Sequence, residues 1–192
     1  MRASNFMSLV AAIGLLCADD AVAADSAGST IVMTIAGDTI ELTVPASRIS
    51  LRIPQGDLAP VEASKTGAQA SPRYFHLADA GRGLTVSGWF EPAKAFKGFE
   101  AFWTGEFSAM KRSGLVPTAA PTAVAVENWS GAAYEVAVPG VEKAVNTHIR
   151  AELIKAGTWI DLHISITAQK PVADARAEAL ELLRSIVVNE KD

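Results

Sequence analysis

Cysteine is nearly absent from this chain: its 192 residues include one, Cys17, inside an amino-terminal apolar run. If that run is removed, the rest has no disulfide, no thiolate to hold zinc and no cysteine nucleophile. Charge of one sign is lacking too. Seventeen Lys and Arg against 21 Asp and Glu give an unclustered net charge of −4, which offers no footprint for nucleic acid or an anionic membrane. Catalytic signatures are missing as well: there is no Gly-x-Ser-x-Gly turn, no phosphate-cradling glycine loop ahead of a helix and no His-Glu-x-x-His. Ser108-Ala109-Met110-Lys111 and Lys65-Thr66-Gly67 match two elements of serine β-lactamases, but in the wrong order and without Ser-Asp-Asn. Gly81, Gly83 and Gly88 fall in a strand-turn-strand context, which does not suit a dinucleotide. No cofactor is expected. Catalytic groups need not be neighbours in sequence, so an enzyme is not excluded, but a non-enzymatic role is favoured.

What is present begins with an export signal. Arg2 precedes an uncharged run over residues 6–18, followed by Asp19, Asp20 and the small-residue pattern Ala21-Val22-Ala23. The run suits the apolar core of a signal peptide and falls short of the roughly 20 residues that span a membrane. Residues 1–24 are therefore expected to be a cleavable leader, and 25–192 a single periplasmic or secreted domain without a transmembrane segment. Loss of Arg2, Asp19 and Asp20 removes one net negative charge, so −4 becomes −3. Acylation of Cys17 is the alternative fate, disfavoured because Leu16 stands where a small residue is usual. The 168 residues left suffice for one core without disulfide staples.

Residues 25–29 read as a flexible start. From Thr30 to Val44, alternation around Gly37-Asp38 predicts a hairpin in which Ile31, Met33 and Ile35 face Val44, Leu42 and Ile40. Ile49, Leu51 and Ile53 make a third strand, and residues 54–72 read as a long loop. Strands over 73–78 and 84–90 follow. Phe96, Phe99, Trp103, Phe107 and Met110 then recur at helical spacing, and Gly114 ends that helix; their stripe is expected to be core, not a ligand platform. A weaker hairpin over 122–129 and 132–138 is expected to turn at Ser130-Gly131, and the sequon Asn128-Trp129-Ser130 within it is a chance match. A clearer hairpin joins 145–154 to 158–166 around Ala156-Gly157. A closing helix from Pro171 carries the apolar stripe Val172, Ala175, Ala179, Leu180, Leu183, Ile186 and Val187. The class is α+β: a largely antiparallel sheet covered by two amphipathic helices.

One polar strand face stands out. Setting Lys155 opposite Thr158 places Leu153, Ala151 and Ile149 against Ile160, Leu162 and Ile164 on an apolar face. The other face carries His148, Arg150 and Glu152 beside Asp161, His163 and Ser165, with Glu152 across from Asp161. His148, His163, Asp161 and Glu152 have the ligand chemistry of a borderline divalent metal, and Asp161 with His163 that of an acid–base pair. Against this, Arg150 lies diagonal to Asp161, where it relieves the repulsion and repels a metal; such mixtures are ordinary on a solvated sheet face. His76 is the third histidine and has no assignable neighbour. Trp89, Phe90 and Trp159 read as core or strand-pairing aromatics.

Several segments resemble the PsbP/DcrB-like group of small α/β/α-sandwich domains. They are Ile49-Ser50-Leu51-Arg52-Ile53-Pro54 after the first hairpin, Ser87-Gly88-Trp89-Phe90 before the central helix, residues 157–163 (Gly-Thr-Trp-Ile-Asp-Leu-His) in a late strand, and Leu182-Leu183-Arg184-Ser185-Ile186 in the closing helix. The resemblance covers most of residues 30–188 as an order of elements with short local echoes. It implies a PsbP-like sandwich and accessory, scaffolding or ligand-binding work. It supplies no functional residue, and no marker of photosynthesis accompanies it. The resulting expectation is an exported, non-enzymatic domain that binds a protein or small molecule, using the 54–72 loop and the polar strand face. The alternative is a metal-binding protein or metal-dependent hydrolase built on His148, His163, Asp161 and Glu152.

Overall fold

Alternating sequence becomes antiparallel sheet throughout the fold. The computed structural model describes residues 30–62, 71–138, 141, 144–167 and 171–191. The expected leader with Cys17, the 25–29 start and part of the 54–72 loop lie outside the described residues. Strands β1 (Val32–Ala36), β2 (Thr39–Thr43), β3 (Ile49–Pro54) and a carboxy-terminal β11 (Val187–Glu190) form one four-stranded sheet in the order β1-β2-β3-β11. A second sheet has the order β4-β5-β6-β10-β9-β8-β7. Its strands are β4 (Ala59–Pro60), β5 (Tyr74–Asp79), β6 (Leu84–Pro92), β7 (Thr122–Val126), β8 (Trp129–Ala137), β9 (Val145–Lys155) and β10 (Thr158–Thr167). Two helices, α1 (Phe99–Arg112) and α2 (Val172–Ser185), complete an α+β fold. Neither is long and apolar enough to cross a membrane.

The first hairpin has the register expected, with Ile35 on Ile40 and Met33 on Leu42 about a turn at Gly37, φ 62°. The central hairpin also matches, pairing Leu153 with Ile160, Ala151 with Leu162 and Ile149 with Ile164. These residues are buried with Phe75, Leu77, Val86 and Phe90 of β5 and β6. Two covers share this apolar face. One is α2, which presents the small Ala175 and Ala179 with Leu183; the other is the four-stranded sheet, through Ile40, Leu42, Ile49, Leu51 and Ile53. At about 25 cal/mol per Å² of apolar surface removed from water, such a shared core is the main stabilising contribution available to a chain without disulfides.

Four expectations are corrected. Within the expected 54–72 loop, β4 lies on β5, with Ala59 opposite Ala78, and Leu58 is buried. The β7–β8 turn falls at Glu127-Asn128, not at Ser130-Gly131, and Trp129 opens β8 with its side chain in the core. Gly131 lies inside the strand because the backbone of β9 passes so close: a Cβ there would sit 1.9 Å from the Arg150 carbonyl oxygen. Val187 does not continue the α2 stripe; it starts β11, which pairs with β3 through Val187–Arg52. Finally, α1 begins after Gly98 rather than at Phe96, and its buried residues are Glu106, Ala109 and Met110, while Phe107 is exposed. The inner face is therefore rotated by about one residue from the expected stripe.

Candidate functional site

Because side chains alternate along a strand, the residues opposite the apolar core form a second face on the seven-stranded sheet. Strand pairing arranges it in rows. Tyr74, Trp89, Asp161 and Glu152 make one row, and His76, Ser87, His163 and Arg150 the next. His148 follows in a third, with Tyr134 of β8 beside it. His76, unplaced from sequence, thus shares the face of the other two histidines.

The centre of this face is not solvated. Arg150 is 2% exposed, Glu152 4% and Asp161 6%, and Glu106 of α1 is 1% exposed. The lid is α1, which meets the sheet through long side chains. Trp103 packs against Tyr134 with ring centroids 5.2 Å apart, and Phe102 meets Trp159 edge-on at 6.0 Å. Met110, Tyr134 and Val136 form a small apolar cluster at one end.

Arg150 occupies the centre. Its Nη2 donates to Asp161 Oδ2 at 2.7 Å and lies 3.8 Å from Glu106 Oε2. Its guanidinium is also held over the rings of Phe102 and Trp89, at 5.2 and 5.7 Å from their centroids. Burial works against the charge, but Asp161, Glu106, Tyr134 and Glu152 more than offset it and raise the pKa above that of an ordinary arginine. Glu152 accepts a hydrogen bond from the Trp159 indole N–H. Burial raises the pKa of Glu152 and of Asp161; for Glu152 the neighbouring Asp161 adds to the effect, while Arg150 opposes it at both. The two carboxyls therefore retain a proton above the usual carboxylate range.

The histidines form a second pair. His148 Nδ1 and His163 Nε2 are 2.9 Å apart, so one ring donates and the other accepts according to tautomer. His148 is also stacked on Tyr134, with centroids 5.0 Å apart. Burial, reinforced by Arg150, lowers the His148 pKa to about 4 and takes that of His163 well below its ordinary value, so both rings are neutral at pH 7. Burial pushes the Tyr134 hydroxyl up, far out of the physiological range.

All four sequence-derived candidates thus lie on one face, but as an imidazole pair and a carboxyl pair with Arg150 beside both. Among the described residues no group of three His, Cys, Asp or Glu side chains is placed to hold a metal ion. Glu152 and Asp161 bond each other, and what the arrangement offers besides is a set of buried polar atoms without a hydrogen-bond partner: the Tyr134 hydroxyl, both carboxyl oxygens of Glu106, and Arg150 Nε. Glu106 and Tyr134 were missed from sequence. Glu106 left a signal: it is the one charged residue on the helical face of Phe99, Phe102, Trp103, Ala109 and Met110. Tyr134 left none, because its importance comes from neighbours on β9 and α1.

No family model and no curated protein matches this chain. Among solved structures it is similar to a crystal structure of a protein from Bacteroides thetaiotaomicron VPI-5482 determined at 1.50 Å resolution, with 11% identity and a TM-score of 0.41. The match covers 74% of this chain and 46% of that one, so the chain spans less than half the length of its structural neighbour.

Proposed function

We propose that this chain is an exported, non-catalytic binding domain whose ligand lodges between α1 and the polar face of the seven-stranded sheet. One observation carries this reading: the Tyr134 hydroxyl, the Glu106 carboxyl and Arg150 Nε are buried there without a hydrogen-bond partner. Each unpaired buried group costs about 1–3 kcal/mol, and folds tolerate such costs where a partner is to be received. The aromatic side chains of Trp103, Phe102 and Trp159 supply an apolar wall beside these groups, the usual composition of a small-molecule site. Export follows from the expected leader. A PsbP-like sandwich is the finer form of the fold in this reading, supported by helices on the two faces of one sheet and by the segment resemblances; accessory binding work is what that resemblance implies.

The test is recovery of the protein from its native periplasm, with the small molecules and proteins that accompany it identified by mass spectrometry. A stoichiometric companion lost on Tyr134→Phe or Glu106→Gln supports the proposal. Turnover of a defined substrate, abolished by a single substitution at His163, would overturn it in favour of an enzyme. A bound metal, lost on His148→Ala, would overturn it in favour of a metal centre.

A further inference from the structure

Resting on that reading of the site, the charge inventory beneath α1 decides the class of ligand. Among the described residues Arg150 is the one permanent cation buried on this face, shared by Asp161 and Glu106, while Glu152 keeps a proton beside Asp161. The one hydrogen bond from Arg150 to these acids goes to Asp161. Glu106 is left 3.8 Å away with neither oxygen hydrogen-bonded, although it is 1% exposed. A buried carboxylate that must share its one cation with a second acid is costly, and a neutral hydroxylated ligand would bond to it without neutralising it. An anion would add to the imbalance.

We infer that the ligand carries a compact cationic head, a primary ammonium or a guanidinium, seated on Glu106 against the rings of Phe102, Trp103 and Tyr134. An ammonium brings three donors and the missing positive charge. The aromatic wall suits it, since the guanidinium of Arg150 already lies over Phe102 and Trp89.

Four probes of similar size test the inference by thermal shift and calorimetry on the purified protein: butylamine, agmatine, butyrate and glucose. The two cations are expected to raise the melting temperature saturably, and butyrate and glucose to leave it unchanged. Glu106→Gln is expected to weaken cation binding by at least about ten-fold, the loss of one charge-assisted hydrogen bond. Phe102→Leu, at a partly exposed position, provides a second variant that should fold normally and also bind the cations more weakly. Proton NMR of the Trp159 and Trp89 indole N–H signals locates the binding. Cation binding that both variants leave untouched overturns the inference. If butyrate or glucose binds instead and moves the indole signals, the site stands and its cationic preference falls. If neither the probes nor a periplasmic extract gives any shift, both fall together.

Discussion

Replacing Arg150 with methionine keeps most of the side-chain volume and removes the one positive charge at the centre of the buried face. The structure sets the scale of the effect. Arg150 is 2% exposed, bonded at 2.7 Å to Asp161, and faces Glu106 at 3.8 Å and two aromatic rings. Breaking a buried pair by removing one partner costs about 3–5 kcal/mol, because the other charge is left without compensation. In a domain of this size about 1 kcal/mol shifts the melting temperature by roughly 2–4 °C, so a loss of about 6–20 °C at pH 7.5 is expected. The deficit should narrow as the pH falls and the orphaned Asp161 takes up a proton. Urea unfolding followed by tryptophan fluorescence, at pH values from 5 to 8, measures both effects. A cost under about 1 kcal/mol that does not vary with pH is what a solvated surface pair would show, and it would refute the reasoning.

Three further outcomes follow from the same geometry. His148 has its pKa lowered to about 4 and that of His163 lies well below its ordinary value, so below about pH 6.5 the unfolded chain binds protons that the folded one refuses. Stability should therefore fall from pH 6.5 towards 4 by up to about 1.4 kcal/mol per unit for each ring, and His148→Gln should flatten that limb of the urea-midpoint profile. The raised pKa values of Glu152 and Asp161 act in the opposite sense, withdrawing stability as the pH rises through them, so the pH profile of His148→Gln should reveal their limb. Gly131→Ala should prevent folding or cost several kcal/mol, since its Cβ would meet the Arg150 carbonyl oxygen at 1.9 Å, whereas Gly105→Ala in α1 meets nothing within 4 Å and should stabilise by about 1 kcal/mol. Chemical denaturation of the two variants checks that contrast. Intact mass of the protein recovered from the periplasm should show a chain starting at Ala24 or Asp25; an acylated chain starting at Cys17 would replace the leader with an anchor.

Local registers were legible because two independent signals agreed. In the first and central hairpins the period-two pattern and the turn dipeptides Gly37-Asp38 and Ala156-Gly157 point to one pairing, and the structure has it. Long-range pairing was not legible: nothing in β6 announces that it joins β10, or in Val187–Glu190 that it joins β3. The glycine at 131 misled for a related reason, since a close backbone approach and a turn call for the same residue. The polar face carries the larger lesson. Its residues and their register were readable, but its burial was not, because alternation of polar and apolar residues looks the same whether a helix or water covers the polar side. Reading Phe107 rather than Glu106 into the inner stripe of α1 concealed that cover and the third acid with it.

On the proposed reading, the buried polar face receives a cationic ligand beneath α1. Calorimetric titration of the purified protein with agmatine, repeated on Glu106→Gln, tests it most directly. Saturable one-to-one binding that the variant weakens by at least about ten-fold is the predicted result. No heat of binding in either protein, or equal binding in both, would contradict it.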